Sequence, residues 1–465
     1  MRQSHSPHAN PLRSLPFLLL LLLLFFIQTE NTILGRAYTH LLGFNSAGAD
    51  KSSMDANCLT VAMESLFLGT ILIPILISLV SKPAAHQRTS LYATIRVGLS
   101  SWLLGATLST MAHYTNALVV LNYAAGIGSS AAVFHALRRV RLTSARHYEW
   151  AFVAIAIPGL LLGIYSILAF YQQWGFPSLQ TLLQAKYDTN RAAFNSTVLG
   201  DLDYRSTNTL YGLLACPCLA IVFMRVFSIA TRRLAWAFLI CTTINLVLSM
   251  SRTSLATFAL AWLLVALFVR NRKAIVLSGL VATVLMFSVS GIAAATLGGY
   301  FRTGITYDVS TDGSAAARVE SIQVSWQEFV DHPLIGLGAS QSSTVVTQWV
   351  AHQLSVAQAA EHGVFGFLGV LVITGACVAR LLRLLRIGGA NDRLRLEFVF
   401  FLGPVLYFVR GLYSEVTTYV TVVNTCICLT FAMLAIAGQT TAGPAAEGRL
   451  RDYARSAVRT RVTAA

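Results

Sequence analysis

Apolar runs of about 18–25 residues, the length of a helix that crosses a bilayer, alternate with short polar stretches along almost the whole chain. Hydropathy predicts spans beginning near Leu15, Leu59, Ser90, Asn116, Trp150, Thr207, Leu234, Ser254, Ala274, Val364, Leu396 and Val416. The expected fold class is all-α: a polytopic membrane helix bundle with about twelve transmembrane helices. It forms one integral membrane domain over residues 1–465, with no internal repeat and no Pro/Ser-rich linker.

One long polar interruption stands out, from Leu297 to Gly363. It reads as a large loop with two short helices. Asp312 can cap the first, where Val319, Ile322, Trp326, Phe329 and Val330 share a face at helical spacing. That face would lie on the membrane interface or on the bundle. Pro333 stops the helix, and Gly336 and Gly338 permit a tight turn. The second helix is expected from Thr344 to Ala360. The chain reaches Gly363 before the next span.

Composition agrees with a membrane protein. Hydrophobic residues make up 55% of the chain and charged residues 11%, against about 25% charged in soluble domains. Arg2 and Arg13 precede a Leu-rich run, Leu15 to Ile27, with no small-x-small cleavage site after it. That pattern predicts an uncleaved first transmembrane helix. The seven cysteines form no zinc-like CxxC pairs. Cys216, Cys218, Cys241, Cys377, Cys426 and Cys428 fall inside apolar spans and read as small core residues, while Cys58 lies at an outer boundary.

Charge sets the orientation. The clusters Arg138–Arg146, Arg232–Arg233, Arg270–Lys273 and Arg380–Arg395 all fall on one side if the N-terminus is inside. The basic tail, residues 439–465, falls there too, so both termini are expected in the cytoplasm. Of 34 Lys and Arg, roughly 25 are then cytoplasmic and about nine external. Most acids go the other way, including Asp188, Asp201, Asp203, Asp308, Asp312, Glu320, Glu328, Asp331, Glu361 and Glu415. The net charge of +15 thus reflects cytoplasmic loops rather than nucleic-acid binding. The outer face is left with three sizeable loops: Gly35 to Cys58, Gly175 to Ser206, and Leu297 to Gly363.

A few cations remain outside: Arg205 in DYRSTNTLYG, Arg252 in MSRTS, Arg318 in the large loop, and Arg410 at an outer helix end. Guanidinium forks match phosphate oxygens bidentately and stay charged. A ring of them at the outer leaflet suits a lipid-linked diphosphate, although ordinary lipid headgroups offer the same chemistry. His352 is the external residue suited to general-base work. Glu361, nine residues on, falls on the opposite face of a helix that includes both. Glu361, His332 and Arg410 are supporting candidates, and His332 and His362 are substitutes for the base. No HExxH, GxSxG or Walker loop is present, and neither metal nor cofactor is expected.

At these residues the chain resembles the O-antigen ligase/O-antigen polymerase superfamily of bacterial membrane glycosyltransferases. The resemblance rests on motif order: DYRSTNTLYG, SMSRTSLATFALA, WQEFVDHPLIGLGAS and HQLSVAQAAEHGVFGFLG, between Gly200 and Gly369. The family often has Asn where this chain has Gln353, Gly where it has Thr253, and a third Gly where it has Ser340.

The resemblance implies a metal-independent enzyme of the bacterial inner membrane that works at the periplasmic face. Its donor would be an undecaprenyl diphosphate-linked glycan. Its acceptor would be a sugar hydroxyl on lipid A-core or on a growing polysaccharide. Carried over by position, Arg252 and Arg318 would bind the diphosphate, Arg205 would add a contact, and His352 would activate the acceptor. A Wzy-type O-antigen or exopolysaccharide polymerase is the alternative within the class. A multi-pass transporter is the alternative outside it, although few ionisable residues other than Glu64 lie deep in the spans.

Overall fold

The computed structural model describes residues 14–29, 72–81, 90–113, 127–140, 142, 144–175, 204–224, 226–249, 252–269, 273, 275–281, 313–338, 353–412 and 420–440. Among these, every regular element is helical. In chain order they are α1 (Leu15–Thr29), α2 (Ile73–Val80), α3 (Ser90–Ala112), α4 (Ser129–Leu137), α5 (Ala145–Trp174), α6 (Tyr204–Phe223), α7 (Ile229–Ser249), α8 (Arg252–Val269), α9 (Gly313–Asp331), α10 (Leu354–Ile387), α11 (Asp392–Gly411) and α12 (Val420–Gln439).

Ala145–Gln172 of α5 and the whole of α10 are long and apolar enough to cross a membrane. At about 1.5 Å per residue each exceeds the roughly 30 Å hydrocarbon layer. Shorter apolar helical stretches accompany them at Leu15–Phe25, Gly212–Phe223, Ala256–Val269 and Cys426–Gln439. Leu161, Ile164 and Leu168 on α5, and Val97, Leu104 and Leu108 on α3, are exposed. Rows of outward apolar side chains suit hydrocarbon rather than water.

The hydropathic starts at Leu15 and Ser90 coincide with helix starts. Those at Trp150, Leu234 and Leu396 fall four or five residues after theirs. The extra first turns hold Arg146, Arg232, Arg233 and Arg393, which hydropathy reads as loop. At α11 a cap sets the true start. Asn391 accepts the Leu394 amide at 2.9 Å, and Asp392 lies in the first turn of α11. The expected starts at Leu59, Asn116, Ala274 and Val416 lie outside the described residues.

α3 and α10 run antiparallel at backbone contact. A Cβ on Gly98 would lie 2.9 Å from the Gly369 carbonyl oxygen, and one on Gly105 would lie 2.8 Å from the Gly366 amide. Small residues let helices approach closely where lipid offers no hydrophobic driving force. Elsewhere polar contacts pin the bundle. Arg380 of α10 donates twice to Glu397 of α11, both at 2.7 Å, and Glu397 is 1% exposed. Asn245 of α7 donates to the Gly163 carbonyl of α5 at 3.0 Å. Phe268 of α8 stacks on Phe398 of α11 at 3.9 Å. The six cysteines expected in spans are buried.

The arginine-rich segments gather at one end of the bundle. There His147 of α5 meets Phe17 of α1, with ring centroids 4.7 Å apart, and Tyr148 meets Phe400 of α11. Arg139 donates to the Ser78 carbonyl at 3.0 Å, beside the end of α2. Gln439, closing α12, donates to the Leu137 carbonyl at 2.7 Å. Gly389, between α10 and α11, donates to the Phe268 carbonyl at 3.2 Å. Ser228, ahead of α7, donates its amide to Glu149. The ends of α3 and α11 and the starts of α6, α8 and α10 lie at the opposite end.

α9 settles one expectation. Its buried side is Ser321 and Ser325, while Val319, Trp326 and Val330 are exposed. Of the two placements expected for the apolar face, the bundle receives little. Serines let α9 sit close on α10, and from that face Ile322, Trp326 and Phe329 reach Val356 and Phe367. The apolar remainder faces out, as in a helix lying along a membrane interface. Asp312 lies outside the described residues.

Candidate functional site

The site is organised by a break in α10. At Gly363 the backbone has φ 65° and ψ −158°, a conformation open essentially to glycine alone. The structure thus bears out a helix ending by Gly363 and a second beginning at Val364, together called α10; the expected start at Thr344 lies outside the described residues. A break strands carbonyls before it and an amide after it. The motif His332–Gly338 supplies their partners. The Leu337 amide donates to the Ala360 carbonyl at 2.8 Å, and the Gly338 amide to the Glu361 carbonyl at 3.1 Å. The Val364 amide donates to the Pro333 carbonyl at 2.8 Å. Ser109 of α3 adds its hydroxyl to the Glu361 carbonyl at 2.6 Å.

Glycine is needed on both sides of this clasp. Gly336 and Gly338 have φ of 71° and 107°. A Cβ on Gly336 would lie 2.6 Å from the Glu361 carbonyl oxygen, and one on Gly363 would collide with the Leu334 carbonyl. The expected turn at Gly336 and Gly338 is thus present, and its role is to hold α10 bent. His332 is exposed at the end of α9, away from the buried groups described next.

Behind the clasp lies a polar network. Trp102 Nε1 of α3 donates to Gln358 Oε1 at 2.6 Å, and His362 Nδ1 lies 2.8 Å from the same oxygen. The Ser101 hydroxyl donates to the Phe365 carbonyl at 2.9 Å. Motif reading missed Trp102, Ser101 and Ser109, because their partners lie more than 250 residues away in sequence. The available signal was Gln358, an amide within an apolar helical run.

The arginines fall as follows. Arg252 opens α8, Arg205 is the second residue of α6, and Arg318 lies in the second turn of α9. Their backbones are described and their side chains are not. Neither α6 nor α8 has an acid in its first turn. A cation there opposes the helix dipole, and the pair together favours an anion at the helix mouth. Arg410, in the last turn of α11, is 4% exposed, and its Nη1 lies 3.8 Å from the Cβ position of Gly212. Gly212 sits two turns after Arg205 on α6. The structure thus brings Arg410 to the helix carrying Arg205, and α6 packs on α8, which begins with Arg252.

His352 lies outside the described residues. Gln353 is extended, with φ −136° and ψ 120°, and α10 begins at Leu354. The expected relation of His352 to Glu361 therefore lies outside the described residues. Glu361 is half-buried.

Residues 236–371 match the O-antigen ligase family model, Wzy_C. The match runs from α7 through α8 and α9 to the middle of α10, and includes Arg252, Arg318, the clasp and His352. It supports the O-antigen ligase superfamily, whose members are membrane-integral glycosyltransferase-type proteins. No curated protein matches the chain.

Proposed function

We propose that this chain, with its O-antigen ligase segment at residues 236–371, moves a glycan from undecaprenyl diphosphate to a sugar hydroxyl of lipid A-core. The carrying observation is the convergence of two helices with arginine in the first turn, α6 and α8, at the end opposite the arginine-rich segments. By the positive-inside rule that end faces the periplasm of a multi-pass inner-membrane protein, with Leu297 to Gly363 as its large external loop.

Arg252 and Arg318 hold the diphosphate, with Arg205 as a further contact and Arg410 as a buried cation behind them. The acceptor oxygen attacks the anomeric carbon while His352 takes its proton. The bond from that carbon to the diphosphate oxygen breaks, and undecaprenyl diphosphate leaves as an anion. Fixed guanidinium groups stabilise the charge developing on that oxygen. The chemistry within the site needs no nucleotide sugar.

Deleting the gene in its host tests this reading. Lipid A-core without attached glycan, and accumulated carrier-linked polymer, are the expected outcome. Loss of polymer length with ligation intact would instead assign the chain to polymerisation. Unchanged glycans with altered solute uptake would assign it to transport.

A further inference from the structure

The chemistry of the network between α3 and α10 specifies more than its distances. An indole Nε1–H can only donate. The Gln358 atom 2.6 Å from Trp102 Nε1 is therefore the carbonyl oxygen, which removes the usual ambiguity of amide orientation. The same oxygen lies 2.8 Å from His362 Nδ1. Oxygen offers only lone pairs, so Nδ1 carries the hydrogen. The neutral ring then has a bare Nε2, which is buried and has no hydrogen-bond partner among the described residues.

His362 as a whole is 3% exposed, so substrate does not reach it in this conformation. A buried acceptor without a donor is destabilising. The glycine contact and the Ser101 and Ser109 hydroxyls already join α3 to α10 nearby. Adhesion of the two helices gives little reason for the network.

Placement of the start of α10 gives one. The segment Leu354–His362 is cut off from the rest of the helix by the break at Gly363. Helix continuity therefore does not set its direction. The clasp holds its C-terminal end through Ala360 and Glu361. Gln358, one turn further back, is held through the side chains of Trp102 and His362.

We propose that His362 is a positioning residue: its Nδ1–H, through Gln358 and Trp102, aims the first turns of α10 and so sets where His352 meets the acceptor. The proposal rests on the glycosyl-transfer reading, and its test separates the two.

Three variants are purified and reconstituted: His362→Leu, His362→Asn and Trp102→Phe. Asparagine keeps an N–H donor at the position of Nδ1 and removes Nε2. Hydrogen exchange is followed at the amides of residues 354–362, and glycan transfer is measured in the same preparations. His362→Leu and Trp102→Phe are expected to speed exchange in that segment and to lower kcat about 10–100-fold, the loss typical of a misplaced reacting group. KM for the donor should stay near wild type, because the arginines are untouched. His362→Asn should restore both protection and kcat. The double variant His362→Leu/Trp102→Phe should be no worse than either single one.

Unchanged exchange in His362→Leu and Trp102→Phe would overturn the proposal. So would an inactive but fully protected His362→Asn, since that would make Nε2 the working atom. If exchange responds as expected while the wild-type protein transfers no glycan, the tie stands and the transfer reading falls.

Discussion

Replacing Gly363 with alanine strikes the break on which the site depends. The residue holds φ 65° and ψ −158°, and an L side chain in that region costs about 1–3 kcal/mol. The new Cβ would also collide with the Leu334 carbonyl, so the clasp must shift. Three backbone hydrogen bonds depend on it: Leu337 to Ala360, Gly338 to Glu361, and Val364 to Pro333. At about 0.5–1.5 kcal/mol net each, their loss brings the total to roughly 2.5–7.5 kcal/mol. Gly375, on the same helix with nothing within 4 Å of its Cβ position, is the matched control. Alanine there should be neutral or stabilising by up to about 1 kcal/mol. The assay is unfolding of detergent-purified protein, together with amide exchange at Leu337, Gly338 and Val364. Equal stability and equal protection in Gly363→Ala and Gly375→Ala would refute the clasp.

Three further outcomes are expected. Arg252→Ala and Arg318→Ala should abolish transfer while the protein still accumulates, and lysine should rescue little, because it lacks the fork that holds two phosphate oxygens; normal product from an alanine variant would remove that residue from the site. His352→Ala should lower the transfer rate about 10²–10⁴-fold and erase a rise in rate with pH, since a base must first lose its proton and an unperturbed imidazole does so near 6.5; an unchanged pH profile would remove the role. Glu397→Leu leaves Arg380 mostly buried and unpaired and should destabilise by about 3–5 kcal/mol, with Arg380→Met/Glu397→Leu recovering most of it; stability of the double variant no better than that of the single would refute the pairing account.

The fold was largely legible because a bilayer imposes a length on every apolar run. The starts at Leu15, Ser90, Thr207 and Ser254 were read to within three residues, and those at Trp150, Leu234 and Leu396 four or five residues late, because Arg146, Arg232 and Arg393 fill the first turns. The arginine clusters predicted one shared end, and among the described residues packing brings Arg138, Arg139, Arg146, Arg232, Arg233 and Arg380–Arg395 to one. The glycines of the clasp could be read as a turn. Their target could not, since the stranded carbonyls of Ala360 and Glu361 exist only once Gly363 bends α10. The outward face of α9 was ambiguous for the same reason: a helix seated through Ser321 and Ser325 shows no apolar stripe toward its neighbour. The Trp102–Gln358–His362 network joins residues more than 250 positions apart, and no local pattern marks such a partner.

The most direct measurement puts the purified chain into liposomes with undecaprenyl diphosphate-linked glycan and lipid A-core as the only added substrates. The expected result is glycosylated lipid A-core, with one undecaprenyl diphosphate released for each glycan transferred. Donor left intact by a folded, membrane-inserted protein would contradict the account.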